Sequence, residues 1–165
     1  MNDRRFTSST SLAWYATIVL TATYTFSFID RQIVNLLVEP IKADLLLSDT
    51  QISFLQGLAF VVPYLILSIP VGRLVDTVSR VKVLIGGIIF WSVACVCCGL
   101  SKTMTQLTIG RMGVGAGEAS VTPAAWSLLA DYFPEDKRGL PVSIFLMGPY
   151  LGAGLSLIIG AEVIS

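Results

Sequence analysis

This chain of 165 residues has no histidine, little charge and only three cysteines, and each shortage removes a class of chemistry. Without imidazole, proton traffic falls to carboxylates, and a histidine-built metal site is excluded. Lys, Arg, Asp and Glu make up 13% of the residues, whereas soluble domains carry about 25%. Eleven basic residues balance eleven acidic ones, so nothing favours nucleic acid as a partner. Cys95, Cys97 and Cys98 crowd into one apolar run, where helical geometry offers neither a disulfide partner nor a zinc ligand set; they read as lipid- or protein-facing thiols. The glycines at 110–117 match neither a dinucleotide fingerprint nor a P-loop, and no strand precedes them, so the chain shows no enzyme signature and implies no cofactor. It also lacks the repeated pore-lining motif or charged ring of a channel.

What is present is apolar: 54% of the residues, with a mean hydropathy of +0.76. About 20 apolar residues cross a bilayer core as a helix. The pattern predicts an all-α integral membrane protein with a polar arm at 1–10 and spans near 11–38, 50–74, 81–100, 106–131 and 142–165. A signal peptide does not fit, since no small-residue cleavage site follows the first apolar run. Arg4 and Arg5 in the arm, Arg73, Arg80 and Lys82 after the second span, and Lys137 and Arg138 after the fourth outweigh Lys42 and Lys102 elsewhere. Positive charge stays inside, which puts the amino terminus in the cytoplasm.

The connections carry their own signals. Residues 39–49 read as an acidic loop with Pro40 as a breaker, and Ser48-x-x-Gln51 as a capping box that opens the second span. Pro63 and Pro70 predict a bend in that span. GRLVDTVSRVK at 72–82 reads as a tight loop, and Pro134, Gly139 and Pro141 as stops for any helix through 131–141. The third span is uniformly apolar and reads as peripheral. Gly148, Gly152, Ser156 and Gly160, four apart in the fifth, form a face for close helix packing.

The fourth span organises the rest. Arg111 and Glu118, seven residues apart, return to one helix face, with Gly115 and Thr122 on it; Gly110, Gly113 and Gly117 lie opposite. One face is then charged with room beside it, and the other is a groove for a neighbouring helix. Ionisable groups at membrane depth mark a polar cavity or substrate path. A second polar stripe, Tyr24, Arg31 and Asn35 with Asp30 beside it, runs along the first span, although Asp30 and Arg31 also fit the end of an apolar run. Gln56, Phe60 and Tyr64 share a face of the second span, and their polar groups suit either a cavity or another helix.

GRLVDTVSRVK resembles the signature loop of the major facilitator superfamily: Gly72, Leu74, Asp76 and Arg80 match, while Ser79 and Val81 replace a glycine and a basic residue. MGPYLGAG at 147–154 and Arg111-x-x-x-Gly115-x-Gly117 are similar to that superfamily's fifth- and fourth-helix motifs. YTFSFIDRQIVNLL, IKADLLLSDTQ, RMGVGAGEA and ADYFP resemble its spinster-like branch; the organic anion:cation symporters share the Asp-Arg pair and the Arg…Glu arrangement. The resemblance implies secondary, proton-linked movement of an amphipathic lipid or a small anion by alternating access in a plasma or bacterial inner membrane. It makes Asp30, Arg31, Arg111 and Glu118 the substrate and proton residues, or fixed pairs that lock two helices. Tyr24, Asn35, Gln56, Tyr64 and Thr122 would line the cavity. Gly72, Asp76 and Arg80 would form a gating latch, with plain charge anchoring the competing role. Superfamily halves have six helices built from inverted repeats, so five spans read as an amino-terminal fragment whose carboxyl-terminal half is a missing partner.

Overall fold

The computed structural model describes residues 10–164, with side chains as far as Gly160; residues 1–9 of the predicted arm, Arg4 and Arg5 included, lie outside the described residues. The described residues form helices α1 (Thr10–Leu36), α2 (Val38–Leu45), α3 (Asp49–Gln56), α4 (Leu58–Thr77), α5 (Arg80–Gly99), α6 (Met104–Glu118), α7 (Val121–Tyr132) and α8 (Gly139–Ile164), plus a 3-10 turn at Glu135–Lys137, and no strand. Four stretches are continuous and apolar enough to cross a membrane: α1, α3 with α4, α5, and α8 as far as Gly160. The fourth predicted span is divided between α6 and α7.

That division corrects the expectation of one unbroken helix over 106–131. After Glu118 the backbone tightens, Ser120 N–H donating to the Gly117 carbonyl at 3.2 Å, and the helix restarts at Val121. Pro123 supplies the cause. It has no N–H to offer the carbonyl four residues back, Ala119, and its ring crowds that carbonyl. The second span is likewise interrupted, at Gly57 (φ −96°, ψ −89°), while Pro63 and Pro70 sit inside α4. Ser48 and Gln51 close the predicted capping box.

Three expected loops are shorter than their composition suggested. Pro40 and Pro141 sit third in α2 and α8, as Pro123 does in α7, and each follows a break: α1 stops at Leu36, and only the 3-10 turn at Glu135–Lys137 lies between α7 and α8, but the helix resumes with the proline in its first turn. The 72–82 segment is almost wholly helical: Gly72 and Asp76 belong to α4, Arg80 opens α5, and only Val78 and Ser79 lie between. In the 131–141 connection Arg138 turns back, donating from Nε to the Phe133 carbonyl (3.2 Å) and from Nη2 to the Ala130 carbonyl (3.0 Å), which satisfies acceptors at the end of α7.

The chain divides into two compact units. One takes residues 10–32 and 125–164 of the described chain, the other Ile33–Ala124. In the first, α8 packs on α1 through its small residues. A Cβ on Gly152 would come within 2.5 Å of the Thr25 carbonyl and one on Gly148 within 3.1 Å of the Thr21 carbonyl, so the predicted packing face is real. The buried hydroxyls of Thr17, Thr21 and Thr25 each donate to the carbonyl four residues earlier, at 2.8–3.0 Å, so that face of α1 presents no unmet donor to α8. Trp14 meets Phe133 edge to face, ring centres 5.5 Å apart.

In the second unit α6 lies against both α4 and α5. A Cβ on Gly110 would approach Cys98 Sγ to 2.5 Å, and one on Gly117 would approach the Trp91 backbone nitrogen to 2.7 Å, so the predicted glycine groove is filled by α5. Leu47, Ile52, Leu55 and Leu107 form an apolar cluster over the start of α6.

Candidate functional site

Arg111 and Glu118 sit on α6 with only 3% and 1% of their surfaces exposed. Part of the room expected beside them is taken by a neighbouring helix. Gly115, between them, faces α4 so closely that an added Cβ would lie 2.4 Å from the Phe60 carbonyl oxygen. Omitting a side chain there lets the α6 and α4 backbones approach.

The Arg111 guanidinium lies 5.2 Å from the centre of the Phe60 ring, which stacks on Tyr64 at 5.9 Å. An arginine is held well over an aromatic face because the guanidinium is planar and more weakly hydrated than an ammonium. A turn away, Gln56 Nε2 donates to Asn35 Oδ1 at 3.0 Å. Gln56 and Arg111 also border one small cavity with Val34, Ile52 and Leu107. Of the second-unit residues singled out in sequence, the fold therefore gathers Asn35, Gln56, Tyr64 and Arg111 in one place, with Gln56 bonded to another helix. Glu118 closes α6 directly before the Ala119–Ser120 break, and Thr122 is half-buried in the first turn of α7.

The first unit holds the α1 residues. The Arg31 guanidinium lies 4.9 Å from the Phe28 ring centre, Phe28 meets Tyr24 edge to face at 5.4 Å, and Tyr24 stacks on Phe145 of α8 at 4.8 Å. Asp30 and Arg31 are half-buried and inside α1, which continues to Leu36, so they do not mark the end of a helix. Sequence reading passed over Phe28 and Phe145. Phe28 was findable, standing four residues after Tyr24 and three before Arg31 on one helix face; Phe145 was not, because it comes from a distant helix.

The latch residues are spread over two helix ends, with Asp76 exposed, Arg80 half-buried and Gly72 in open space where an added Cβ meets nothing within 4 Å. Away from the spans, Lys42 of α2 pairs with Asp49 of α3. The hydrogen bond and the charge of Asp49 raise the Lys42 pKa above its usual 10.5. Among the described residues no group of His, Cys, Asp and Glu is placed to hold a metal ion.

Residues 20–165 match the family model of the Major Facilitator Superfamily. An MFS-type efflux pump of Mycolicibacterium smegmatis is 34% identical over 148 residues, covering 90% of this chain and 34% of the pump. Protein spinster homolog 1 of Homo sapiens is 33% identical over 141 residues, covering 83% of this chain and 26% of that protein. A probable L-galactonate transporter of Escherichia coli is 30% identical over 130 residues, 79% of this chain and 28% of its own length. Crystal structures of a bacterial homolog of the human lysosomal transporter Spinster, inward-facing and either unoccupied or occupied, superpose with a TM-score of 0.90 at 34% identity, covering 94% of this chain. The chain spans between about a quarter and a third of the length of these relatives.

Proposed function

This multi-pass membrane chain belongs to the major facilitator superfamily and is spinster-like, and from that premise we propose that it serves proton-linked transport of an amphipathic lipid or other organic anion. One observation carries the reading: an arginine and a carboxylate are both buried on one helix, the carboxylate next to the point where that helix breaks. Burying such groups costs several kcal/mol each, and membrane proteins retain them chiefly where a substrate or proton path needs them. In this reading Arg111, or Arg31 in the first unit, takes the anionic group of the substrate. Glu118, or Asp30, exchanges the proton. Tyr24, Asn35, Gln56, Tyr64 and Thr122 shape the surroundings, and Gly72, Asp76 and Arg80 gate the helix ends. Alternating access requires a second cavity wall, which sequence equivalent to the remaining length of the relatives would supply. The membrane we assign is the bacterial inner membrane, on the strength of the bacterial relatives.

A small organic acid as substrate is favoured by the likeness to the probable L-galactonate transporter. The two substrate classes separate in liposomes containing the full coding product under an inward proton gradient, offered either a lysolipid or a sugar acid. Lysolipid uptake is the expected result. Glu118→Gln is expected to uncouple uptake from the gradient; unchanged proton-driven uptake in that variant would make Glu118 a structural group only.

A further inference from the structure

Helices α2 and α3 form a hairpin, residues 38–56, that is stapled into one piece. Leu46 takes the left-handed conformation between them (φ 52°, ψ 46°), and the Leu47 N–H donates to the Lys42 carbonyl at 3.1 Å. The Ser48–Gln51 capping box fixes the start of α3, and Lys42 pairs with Asp49 across the turn. The two roots of the hairpin are looser. At one, Leu37 separates α1 from α2 (φ −90°, ψ 13°), and Pro40 has no N–H for the Leu36 carbonyl. At the other, Gly57 separates α3 from α4 with φ −96° and ψ −89°, outside the helical region, and an added Cβ would lie 3.2 Å from the Ser53 carbonyl oxygen. Hinges are made of such residues at element ends, which absorb the rotation of the backbone. Asn35 and Gln56, each within two residues of a root, are joined by a 3.0 Å hydrogen bond, so the roots are held side by side and would turn together.

This hairpin covers Arg111. Of the eight residues bordering the small cavity at that arginine, Val38 and Ile41 of α2 and Ile52, Leu55 and Gln56 of α3 belong to the hairpin; Val34, Leu107 and Arg111 complete the wall. With a volume of about 10 Å³ the cavity has room for about one water molecule, so no organic anion reaches Arg111 through it while the hairpin is closed. The hold on the hairpin is light. Helix α2 contributes no buried residue, and Leu107 is the one buried residue outside the hairpin in the apolar cluster that Leu47, Ile52 and Leu55 form with it. A lid needs two hinges, stiffness between them and a small seal, and all three are present. We propose that residues 38–56 are a lid that swings as one body about Leu37 and Gly57 and opens the cavity at Arg111. What the lid admits rests on the reading of Arg111 as the site for the substrate's anionic group; its motion does not.

Spin labels measure that motion in the full coding product in liposomes, with Cys95, Cys97 and Cys98 replaced by alanine. One pair, on Asp44→Cys of α2 and Lys102→Cys before α6, spans the lid and the helices beneath it; a second, on Glu39→Cys and Thr50→Cys, lies within the lid, and all four positions are exposed. The first pair should give two distances, for the closed and the raised lid, and the second pair only one. Gly57→Ala, whose methyl group crowds the Ser53 carbonyl in the closed position, should enlarge the longer-distance population several-fold, whereas Gly86→Ala, with nothing within 4 Å, should change neither pair. A single Asp44–Lys102 distance in both wild type and Gly57→Ala would overturn the proposal. So would a Glu39–Thr50 distance that spreads together with the first, because the hairpin would then be unfolding and not swinging. If the lid moves while lysolipid uptake is indifferent to Arg111→Gln, the reading of Arg111 fails and the lid stands.

Discussion

Each of the two units holds an arginine over a phenylalanine ring that in turn touches a tyrosine: Arg31, Phe28 and Tyr24 in one, Arg111, Phe60 and Tyr64 in the other. They are built differently. The first lies along a single helix, its arginine and phenylalanine three residues apart and both half-buried. The second joins α6 to α4 and leaves its arginine 3% exposed, because Gly115 lets the two backbones close to contact. The same guanidinium–ring contact is worth about 0.5–1 kcal/mol where water reaches it and about 2 or more where it does not. The difference teaches that the arginine's charge became expensive, and so informative, through a neighbouring glycine.

The largest effect is expected from reopening that approach. Gly115→Val should push Phe60 and α4 away and cost about 3 kcal/mol or more, since overpacking a close contact with backbone leaves little room to relax. Thermal unfolding in detergent measures it. A loss under about 1 kcal/mol would mean that the α4–α6 contact is not what buries Arg111.

Replacing each arginine by lysine sharpens the comparison next. Lysine keeps the charge but loses the planar face, so Arg111→Lys should cost about 2 kcal/mol and Arg31→Lys about 0.5–1. Double-mutant cycles with Phe60→Leu and Phe28→Leu should return coupling energies in the same order. Equal couplings would erase the distinction between the units.

Smaller still is Gly72→Ala. Nothing stands within 4 Å of the added methyl group, so stability should hold or rise by up to about 1 kcal/mol, as for glycine replaced in a helix. Transport that nevertheless fails in this variant would show that Gly72 is needed for a helix approach absent from this conformation.

The smallest effect belongs to Lys42, outside the spans, and its partner Asp49 at the start of one. The folded-state pKa of Lys42 is raised, so its contribution is complete below the ordinary value of 10.5 and disappears as pH climbs through the raised one. Amide exchange in α2, corrected for its intrinsic rise with pH, should quicken only above that value, and Asp49→Asn should remove the step.

Much of this architecture was legible beforehand, and the failures share one origin. Gly110, Gly113 and Gly117, and Gly148 and Gly152, announced close helix contacts by their spacing, and those contacts exist. Ser48 and Gln51 announced a helix start that is there. Pro40 and Pro141 announced breaks that are there, although the helix resumes sooner than a loop reading allows because each proline sits in a first turn; Pro123, in the same position of α7, went unnoticed because it acts four residues upstream of itself. Arg138 was counted only as a charge for orientation; its hydrogen bonds to Ala130 and Phe133 depend on where a turn returns the chain.

The sequence by itself determined that the chain lies in a membrane, which residues share each helix face, and that Arg111 and Glu118 fall on one side of a helix with glycines on the other, because apolar length and a 3.6-residue period are local properties. Only the tertiary structure decided what stands opposite those faces. Gly115 read alone is an empty place beside two charges; with the Phe60 carbonyl against it, it is where α4 closes on the helix that carries them, with Arg111 held over the Phe60 ring.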